Sequence, residues 1–195
     1  GRSNILSRLE KYGVKIDSKD PKVKKILDEV KDREFSGYSY DGADASFELL
    51  ANRLLGKVPE YLKVKSYNVN VAKSDTIKTK ANVVFLIDGK DIECNGEGNG
   101  PVNALDSAIR SNFKKVEKYY NFFSDLKLLD YKVRILNTGT EATTRVLIES
   151  TDKTGISWFT VGVSPNIIEA SFRALIDSLD YKLYKEKAPA NLNEK

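Results

Sequence analysis

One stretch of the sequence has residue types and spacing typical of an anion-binding site: GEGNGP at positions 96–101. Glycines at alternate positions leave the backbone free to adopt positive φ and let another group come very close. Pro101 has the fixed φ that suits the first residue of a helix. The unpaired N–H groups of a helix start favour a carboxylate or a phosphate. The pattern predicts a strand, a bare glycine loop and a helix, with Gly98, Gly100 and Val102 as candidate anion ligands.

Composition narrows the chemistry that is open to the chain. The sequence has no histidine, the commonest general base and the commonest transition-metal ligand. Its 32 basic and 28 acidic residues are interspersed, whereas a nucleic-acid-binding surface would cluster the basic ones. No apolar run approaches the ~20 residues of a membrane span, and a single cysteine, Cys94, fits a reducing compartment. We therefore expect a cytoplasmic protein with no catalytic or metal-binding residues, no cofactor, and no nucleic-acid or membrane partner.

The first 57 residues have the apolar spacing and capping residues of three short helices. Ser3 is the predicted cap of the first helix, and Asp20, which precedes a proline, is that of the second. Asp41 or Asp44 is expected to cap the third. Three short helices make a thin core, so we expect residues 1–57 to pack against another part of the protein.

Beyond residue 61 the apolar pattern changes to the two-residue period of strands, and the pattern occurs twice. In the first copy, Tyr67, Val69 and Val71 are predicted to face inward, and a helix is predicted to run from Pro101 to about Tyr120. The matches across the two copies are Leu62 with Leu126, Tyr67 with Tyr131, Val69 with Val133, Val71 with Ile135, Asp88 with Asp152, Gly96 with Gly162 and Ala104 with Ala170.

These matches predict an internal duplication of a strand–strand–strand–helix unit. The offset is 64 residues up to Asp152 and 66 beyond it, which predicts a second hairpin loop two residues longer than the first. Ser164 and Pro165 are expected to cap the second helix. Each unit has one apolar sheet face and cannot bury it alone. The predicted fold class is α+β: a short N-terminal helical linker followed by two βββα units related by a pseudo-twofold axis.

Several segments resemble the isopropylmalate synthase family, and in particular its citramalate synthases. The resemblance extends to about Glu186, and its most specific part is the run at 37–50. The segments are GRSN at 1–4, GYSYDGADASFELL at 37–50, GEGNGP at 96–101, LDYKVRI at 129–135 and TVGVSPNIIEAS at 160–171.

The resemblance implies a regulatory role. The catalytic part of this family is an N-terminal TIM barrel that condenses acetyl-CoA with a 2-oxo acid at a divalent metal held partly by a His-x-His pair. Because the chain has no histidine and no methionine, we expect a non-enzymatic fragment without that barrel. The implied domains are a linker subdomain (1–57) and an allosteric, dimer-forming domain (58–187, with repeats at about 61–120 and 125–187). The residues themselves predict that the chain from Lys185 to Lys195 is frayed and polar, with 188–195 as a polar tail outside both domains.

The family's allosteric domain binds an end product, which is leucine in isopropylmalate synthases and isoleucine in citramalate synthases. The implied partners are therefore isoleucine or leucine, a second copy of the chain and its own catalytic barrel. The resemblance also implies that Tyr38 and Tyr40 contact substrate in the partner subunit's active site.

The resemblance assigns further residues to the regulator site. Leu128, Tyr131 and Ile135 match the family's pocket-lining stretch, with Thr140, Ala142 and Pro165 as additional matches. Because positions 128, 131 and 135 do not share one face of a regular strand, some of them reach a ligand only through a bend or bulge. The glycine stretch would then hold the amino-acid carboxylate through backbone N–H groups.

Two other functions stay open at this point. A phosphate-binding module is one, although the glycines are not followed by the Lys-Ser/Thr pair of a P-loop. A purely structural dimerisation domain without a ligand is the other. The residues themselves do not rank leucine against isoleucine, since the two differ only in branching.

Overall fold

The computed structural model describes residues 1–138 and 141–193. Over these residues it has the predicted α+β class, with an N-terminal helical segment and two units of three strands and a helix. The elements are α1 (Arg2–Lys11), α2 (Pro21–Phe35), α3 (Asp44–Leu54), β1 (Lys63–Lys73), β2 (Ile77–Ile87), β3 (Lys90–Gly98), α4 (Pro101–Arg110), α5 (Tyr120–Phe123), β4 (Lys127–Thr138), β5 (Glu141–Thr151), β6 (Trp158–Ser164) and α6 (Ile167–Lys185).

The chain forms two compact units. Unit 1 comprises Gly1–Val58 and Lys127–Tyr181, and unit 2 comprises Pro59–Leu126 and Lys182–Lys195. The helical segment thus belongs with the second repeat, whereas its sequence indicated only that it needs support. The domain bounds at residues 57 and 58, and the twofold relation of the two repeats, stay predictions.

Unit 1 is built around an antiparallel sheet in the order β4-β5-β6. Alternate residues of β6 face opposite sides, as in any strand. Val161 and Val163 join the hydrophobic core of the helical segment, which includes Phe47. Thr160 Oγ1 donates to a backbone carbonyl of α6 at 2.8 Å, so α6 covers the other face.

Helix α3 lies along the free edge of β6. Asp44 accepts a hydrogen bond from the Phe159 N–H at 3.3 Å. Ser46 Oγ accepts one from the Val161 N–H at 2.9 Å and donates to Asp177 of α6 at 2.9 Å. These side chains accept hydrogen bonds from N–H groups of β6 that would otherwise be free to pair with a strand of another chain.

Two of the three caps predicted for the helical segment are wrong. Ala43 occupies the cap position of α3 and has no side-chain oxygen, and Asp44 lies inside the helix, where its carboxylate binds β6 instead. Ser3 lies inside α1, which starts directly after Gly1. The cap of α2 is confirmed, since Asp20 accepts the Lys22 N–H at 2.9 Å.

Unit 2 is built around a sheet in the order β1-β2-β3, covered on one face by α4. The buried row belongs to the central strand: Ala81, Val83, Phe85 and Ile87. The prediction that β1 faces inward is therefore only partly right. Tyr67 and Val69 are half-buried, but Val71 is 55% exposed, because β1 is an edge strand.

Helix α4 ends at Arg110 rather than near Tyr120. The Asn112 side chain donates to the Ala108 carbonyl at 2.7 Å and to the Asn95 carbonyl at 2.9 Å, which ends the helix against β3. Two 3₁₀ turns, at residues 113–115 and 117–119, then lead to α5.

The predicted frayed tail is wrong for residues 188–193. The Asn191 side-chain amide donates to the carbonyls of Tyr61 at 2.7 Å and Leu86 at 2.8 Å, and its oxygen accepts the Asp88 N–H at 2.8 Å. A polar sequence therefore docks here through hydrogen bonds instead of apolar burial.

Both repeats contain a β-bulge at the same relative position. Lys65 in β1 and Leu129 in β4, 64 residues apart, each add an unpaired residue to the ladder. A bulge redirects the side chains on either side of it. The shared bulge supports the predicted duplication independently of the apolar pattern.

The strand registers correct the position of the insertions. The offset between the repeats is 65 for β2 and β5 and 66 for β3 and β6. One extra residue therefore lies between β4 and β5 and another between β5 and β6, whereas the sequence pattern placed both of them in the second hairpin loop. The pairings that show this are Tyr67 with Val83, Tyr131 with Ile148, Ala81 with Gly96 and Val146 with Gly162.

Candidate functional site

The glycines of the 96–101 stretch serve helix packing. Strand β3 continues to Gly98, so Gly96 and Gly98 are strand residues and not part of a loop with positive φ. A Cβ atom at Gly96 would lie 2.3 Å from Ala108 N, and one at Gly98 would lie 2.6 Å from Ala104 N. Only glycine lets α4 approach the sheet this closely, so the predicted bare loop is wrong.

The same packing occurs in the second repeat. A Cβ atom at Gly162 would lie 2.0 Å from the Ala170 oxygen and 2.8 Å from Ala174 N. The glycine match between the repeats thus reflects two helices that lie unusually close to their sheets.

The start of α4 keeps the features that suit an anion. Gly100 precedes the helix in an extended conformation, with φ −162°, and Pro101 is its first residue. Among the residues that the structure describes, no side chain caps α4. Val102, in the first turn, is half-buried. The uncapped first turn can therefore still donate N–H groups to a carboxylate.

The start of α6 is different, because its first N–H groups are occupied. Asn166 Oδ1 accepts from the Ile168 N–H at 2.8 Å and the Glu169 N–H at 3.3 Å. Asn166 thus caps α6, and the prediction that Ser164 and Pro165 do so is wrong. Of the two repeat helices, α4 has the start that is open to a ligand.

The β4 strand brings three predicted ligand residues onto one face. Leu128 pairs with Ser150, Tyr131 with Ile148, and Ile135 with Thr144, and these partners alternate along β5 on the side covered by α6. The bulge at Leu129 makes this possible, so the expected need for a bulge is confirmed. We call Leu128, Tyr131, Val133 and Ile135 the β4 strip.

Tyr131 ties the β4 strip to α6. Its hydroxyl lies 3.1 Å from Ser171 Oγ, which also donates to the Ile167 carbonyl at 2.7 Å. Burial raises the pKa of the Tyr131 phenol above its ordinary value, although the bond to Ser171 opposes this. The phenol is therefore a neutral hydrogen-bonding group at physiological pH.

The outer end of the strip is apolar and exposed. Ile135 is 68% exposed and Val133 40%, and at the start of α6 Ile167 is 43% exposed. Single exposed apolar residues are ordinary, but several on one sheet face beside a helix start are typical of a binding surface. The sequence analysis did not assign Val133 to the site, because an apolar residue two positions from Tyr131 on the same strand face is also what ordinary core packing predicts.

The remaining predicted site residues have different surroundings. Ala142 is exposed and lies on β5, two residues from Thr144, on the face of the strip. Pro165 instead lines an open pocket of about 710 Å³ with Phe35, Tyr38 and other residues of unit 1. Thr140 lies outside the described residues.

The tyrosines of the helical segment have structural contacts. Tyr40 is 3% exposed and packs edge-on against Phe47, and burial raises the pKa of its hydroxyl. Tyr38 is half-buried and stacks on Tyr40 at 5.7 Å between ring centroids. The expected substrate contact is therefore wrong for Tyr40, whose ring belongs to the core.

Ser171 is a second residue that sequence reasoning missed. It occupies the position of Leu105 in the first repeat, so a small polar side chain replaces a buried apolar one. This replacement of leucine by serine, within two helices that otherwise match, is the sequence signal that could have identified Ser171 as a site residue.

The described ranges, 1–138 and 141–193, contain no group of three or more His, Cys, Asp or Glu side chains that could hold a metal ion. Within the same ranges, no helix is long and apolar enough to cross a bilayer.

Comparisons with known proteins place these features in context. The family model of the LeuA allosteric (dimerisation) domain matches residues 41–183. The chain is 46% identical over 192 residues to the (R)-citramalate synthase of Geobacter sulfurreducens and 45% identical over 192 residues to that of Aquifex aeolicus. In both cases the match covers 96% of this chain and 36% of the relative.

The chain is less similar in sequence to a 2-isopropylmalate synthase. The chain is 28% identical over 191 residues to the 2-isopropylmalate synthase of Aquifex aeolicus, a match that covers 96% of the chain and 33% of that protein. The chain thus spans about a third of the length of the curated relatives it matches.

Proposed function

The chain belongs to the LeuA allosteric (dimerisation) domain family, and from this we propose that it is the feedback-regulatory, isoleucine-binding dimerisation domain of a citramalate synthase. The parent protein would condense acetyl-CoA with pyruvate in isoleucine biosynthesis, in a catalytic barrel outside this chain. Identity favours isoleucine over leucine as the regulator, since it is 46% to a citramalate synthase and 28% to an isopropylmalate synthase.

The observation that carries the proposal is the β4 strip. The bulge at Leu129 turns Leu128 onto the face of Tyr131 and Ile135. Ile135 is 68% exposed on that face. A branched aliphatic side chain bound there would cover it, and shape complementarity would select among isomers by roughly 1–3 kcal/mol.

Dimerisation is proposed for the same chain. Strand β4 lies at the edge of its sheet and carries the exposed apolar residues Leu129, Val133 and Ile135. A long apolar edge strand without a cover favours association with another chain. Sedimentation equilibrium at micromolar concentration should show a dimer, and a monomer at all concentrations would contradict this part of the proposal.

Two exposed isoleucines provide a matched test of the ligand site. Ile135 on the strip and Ile156 in the β5–β6 connection are each 68% exposed. By calorimetry, Ile135→Ala should weaken isoleucine binding about tenfold, because a buried methylene is worth about 0.8 kcal/mol and tenfold corresponds to about 1.4 kcal/mol. Ile156→Ala should leave binding unchanged.

The outcomes separate the alternatives. Tighter binding of leucine than of isoleucine would assign the chain to the leucine-regulated branch. Absence of heat with isoleucine, leucine and valine would leave a structural dimerisation domain without a ligand. Equal weakening by both alanine substitutions would remove the strip from the site.

A further inference from the structure

Two arginines face each other across the β4–β5 ladder, on the side opposite to the β4 strip. Arg134 of β4 pairs directly with Arg145 of β5. Directly opposed residues project from the same face of a sheet, with Cβ atoms about 4.5–5.5 Å apart, and like charges at such positions are destabilising. Burial, together with the neighbouring charge of Arg134, lowers the pKa of the Arg145 guanidinium. Both groups still carry their charge at physiological pH, so their apposition is unfavourable unless an anion neutralises it.

The described part of the chain supplies no carboxylate to this arginine pair. Neither arginine forms an ion pair with a described residue. Of the described side chains, the nearest ladder carboxylates on this face are Asp130 and Glu149, which pair with each other four positions away. That separation is about 13 Å along the strands, which exceeds the Debye length at physiological salt. Asp130 is moreover 3.7 Å from Lys132, with which it forms an ion pair.

The equivalent positions of the first repeat carry a compensating carboxylate. Arg134 corresponds to Asn70 at the register offset of 64. Arg145 corresponds to Lys80 at the offset of 65, and Lys80 pairs with Asn70. Glu97 of β3 lies opposite Lys80 and forms an ion pair with it at 3.7 Å. In the second repeat a valine occupies the position of Glu97, so this repeat has one more cation than the first and lacks the carboxylate.

One guanidinium of the pair is held in place, and open space lies nearby. Arg145 Nη1 donates to the Gly37 carbonyl at 3.1 Å, which orients the group and leaves its other N–H donors for a ligand. Ser36 and Tyr38, on either side of Gly37, line the open pocket of about 710 Å³. Arg134 is exposed. An anion can therefore reach both groups from solvent.

Charge and hydrogen-bonding capacity together select a phosphate group. Two guanidinium groups carry two positive charges, which a dianion neutralises and a single carboxylate does not. The terminal oxygens of a phosphate can accept from two arginine forks at once, whereas a carboxylate fills one fork. We propose that Arg134 and Arg145 bind a phosphate group, free or esterified, on the face of the sheet opposite to the β4 strip. This site does not depend on the proposed isoleucine site.

The test is calorimetry of the 195-residue chain with inorganic phosphate at pH 8, where phosphate is a dianion. The parent chain should bind phosphate with a Kd below about 1 mM. Arg134→Gln and Arg145→Gln should each weaken binding at least about tenfold, the effect of losing hydrogen bonds to a charged group. Lys80→Gln removes the equivalent cation of the first repeat. It should leave phosphate binding unchanged, because Glu97 already neutralises Lys80.

Thermal melting distinguishes a binding role of Arg134 from a structural one. Without phosphate, Arg134→Gln should melt above the parent chain, because the substitution removes the like-charge contact. With phosphate, the melting temperature of the parent chain should rise and that of the variant should not, since only the parent binds the anion. A variant that melts below the parent chain under both conditions would assign Arg134 a structural role and overturn the inference.

The ligand series tests the chemical class. Absence of phosphate binding up to about 10 mM, or equal binding by the parent chain and both glutamine variants, would overturn the inference and leave the proposed isoleucine regulation untouched. Succinate, a dianion of two separate carboxylates, should bind at least about tenfold more weakly than phosphate, and equal affinity would overturn the assignment to phosphate. Glycerol 3-phosphate identifies the source: tighter binding than inorganic phosphate supports a phosphate ester, and weaker binding supports free phosphate.

Discussion

Replacement of Gly96 by alanine should destabilise unit 2, because the missing Cβ is what lets α4 approach its sheet. A Cβ atom there would lie 2.3 Å from Ala108 N and 2.5 Å from Ala108 Cα, both of them backbone atoms. Non-bonded carbon atoms rest at about 3.5–4.0 Å, so α4 must retreat by roughly 1 Å. No side-chain rotation can relieve the contact.

The magnitude follows from what α4 buries. Leu105 and Ile109 are 0% and 3% exposed, and each fully buried side chain contributes about 1.5–3 kcal/mol. A gap of about 0.5–1 Å forfeits roughly a quarter to a half of the contact energy. We therefore expect a loss of about 1–3 kcal/mol, in the range measured for overpacked cores.

The assay is native-state hydrogen exchange of α4 and β3 amides, with urea unfolding followed by circular dichroism. Trp158, the only tryptophan, lies in unit 1, so its fluorescence gives an internal comparison. Gly100→Ala is the matched control, because a Cβ atom there meets nothing within 4 Å. As a helix cap change it should cost about 0.5–1 kcal/mol.

A stability for Gly96→Ala equal to that of the parent chain, or higher than that of Gly100→Ala, would refute the packing argument.

Three further predictions concern other parts of the molecule. In urea, Ser46→Ala should lower the free energy of unfolding by about 1–3 kcal/mol, because the Val161 N–H and the Asp177 carboxylate each lose a hydrogen-bond partner. The control is Ser36→Ala, at an exposed serine, which should change the free energy of unfolding by less than about 0.5 kcal/mol. Asn191→Ala should speed proteolysis after residue 187, as the side chain makes three hydrogen bonds to backbone groups, and an unchanged cleavage rate would contradict that role. Cys94 should not react with Ellman's reagent at pH 8 until the chain unfolds, since burial raises the pKa of its thiol to about 11 and keeps it protonated.

Local sequence signals predicted those elements whose causes are local. The Asp20 cap forms because its carboxylate reaches an N–H two residues away. The Asp88-Gly89 hairpin forms because both residues adopt positive φ, 51° and 76°. The α+β class follows in the same way, because the change from a helical to a two-residue apolar period is itself local.

Long-range contacts account for the errors. Asp44 looks like a helix cap, but its carboxylate binds the edge of β6, 115 residues away. The tail at 188–193 looks frayed, yet Asn191 binds backbone groups of Leu86 and Asp88, which lie 105 and 103 residues earlier. A side chain with several equally good hydrogen-bond partners is assigned to one of them only when the fold brings that partner near.

The candidate site likewise has features with local causes and features that depend on long-range contacts. The sequence alone determined that the chain is built from a duplicated strand–strand–strand–helix unit with glycines before each helix, since residue type and period are properties of the chain. Only the tertiary structure decided that those glycines admit helix backbones and that a bulge turns Leu128 onto the face of Tyr131. Distances between distant segments decide these points, and such distances exist only after the chain has folded.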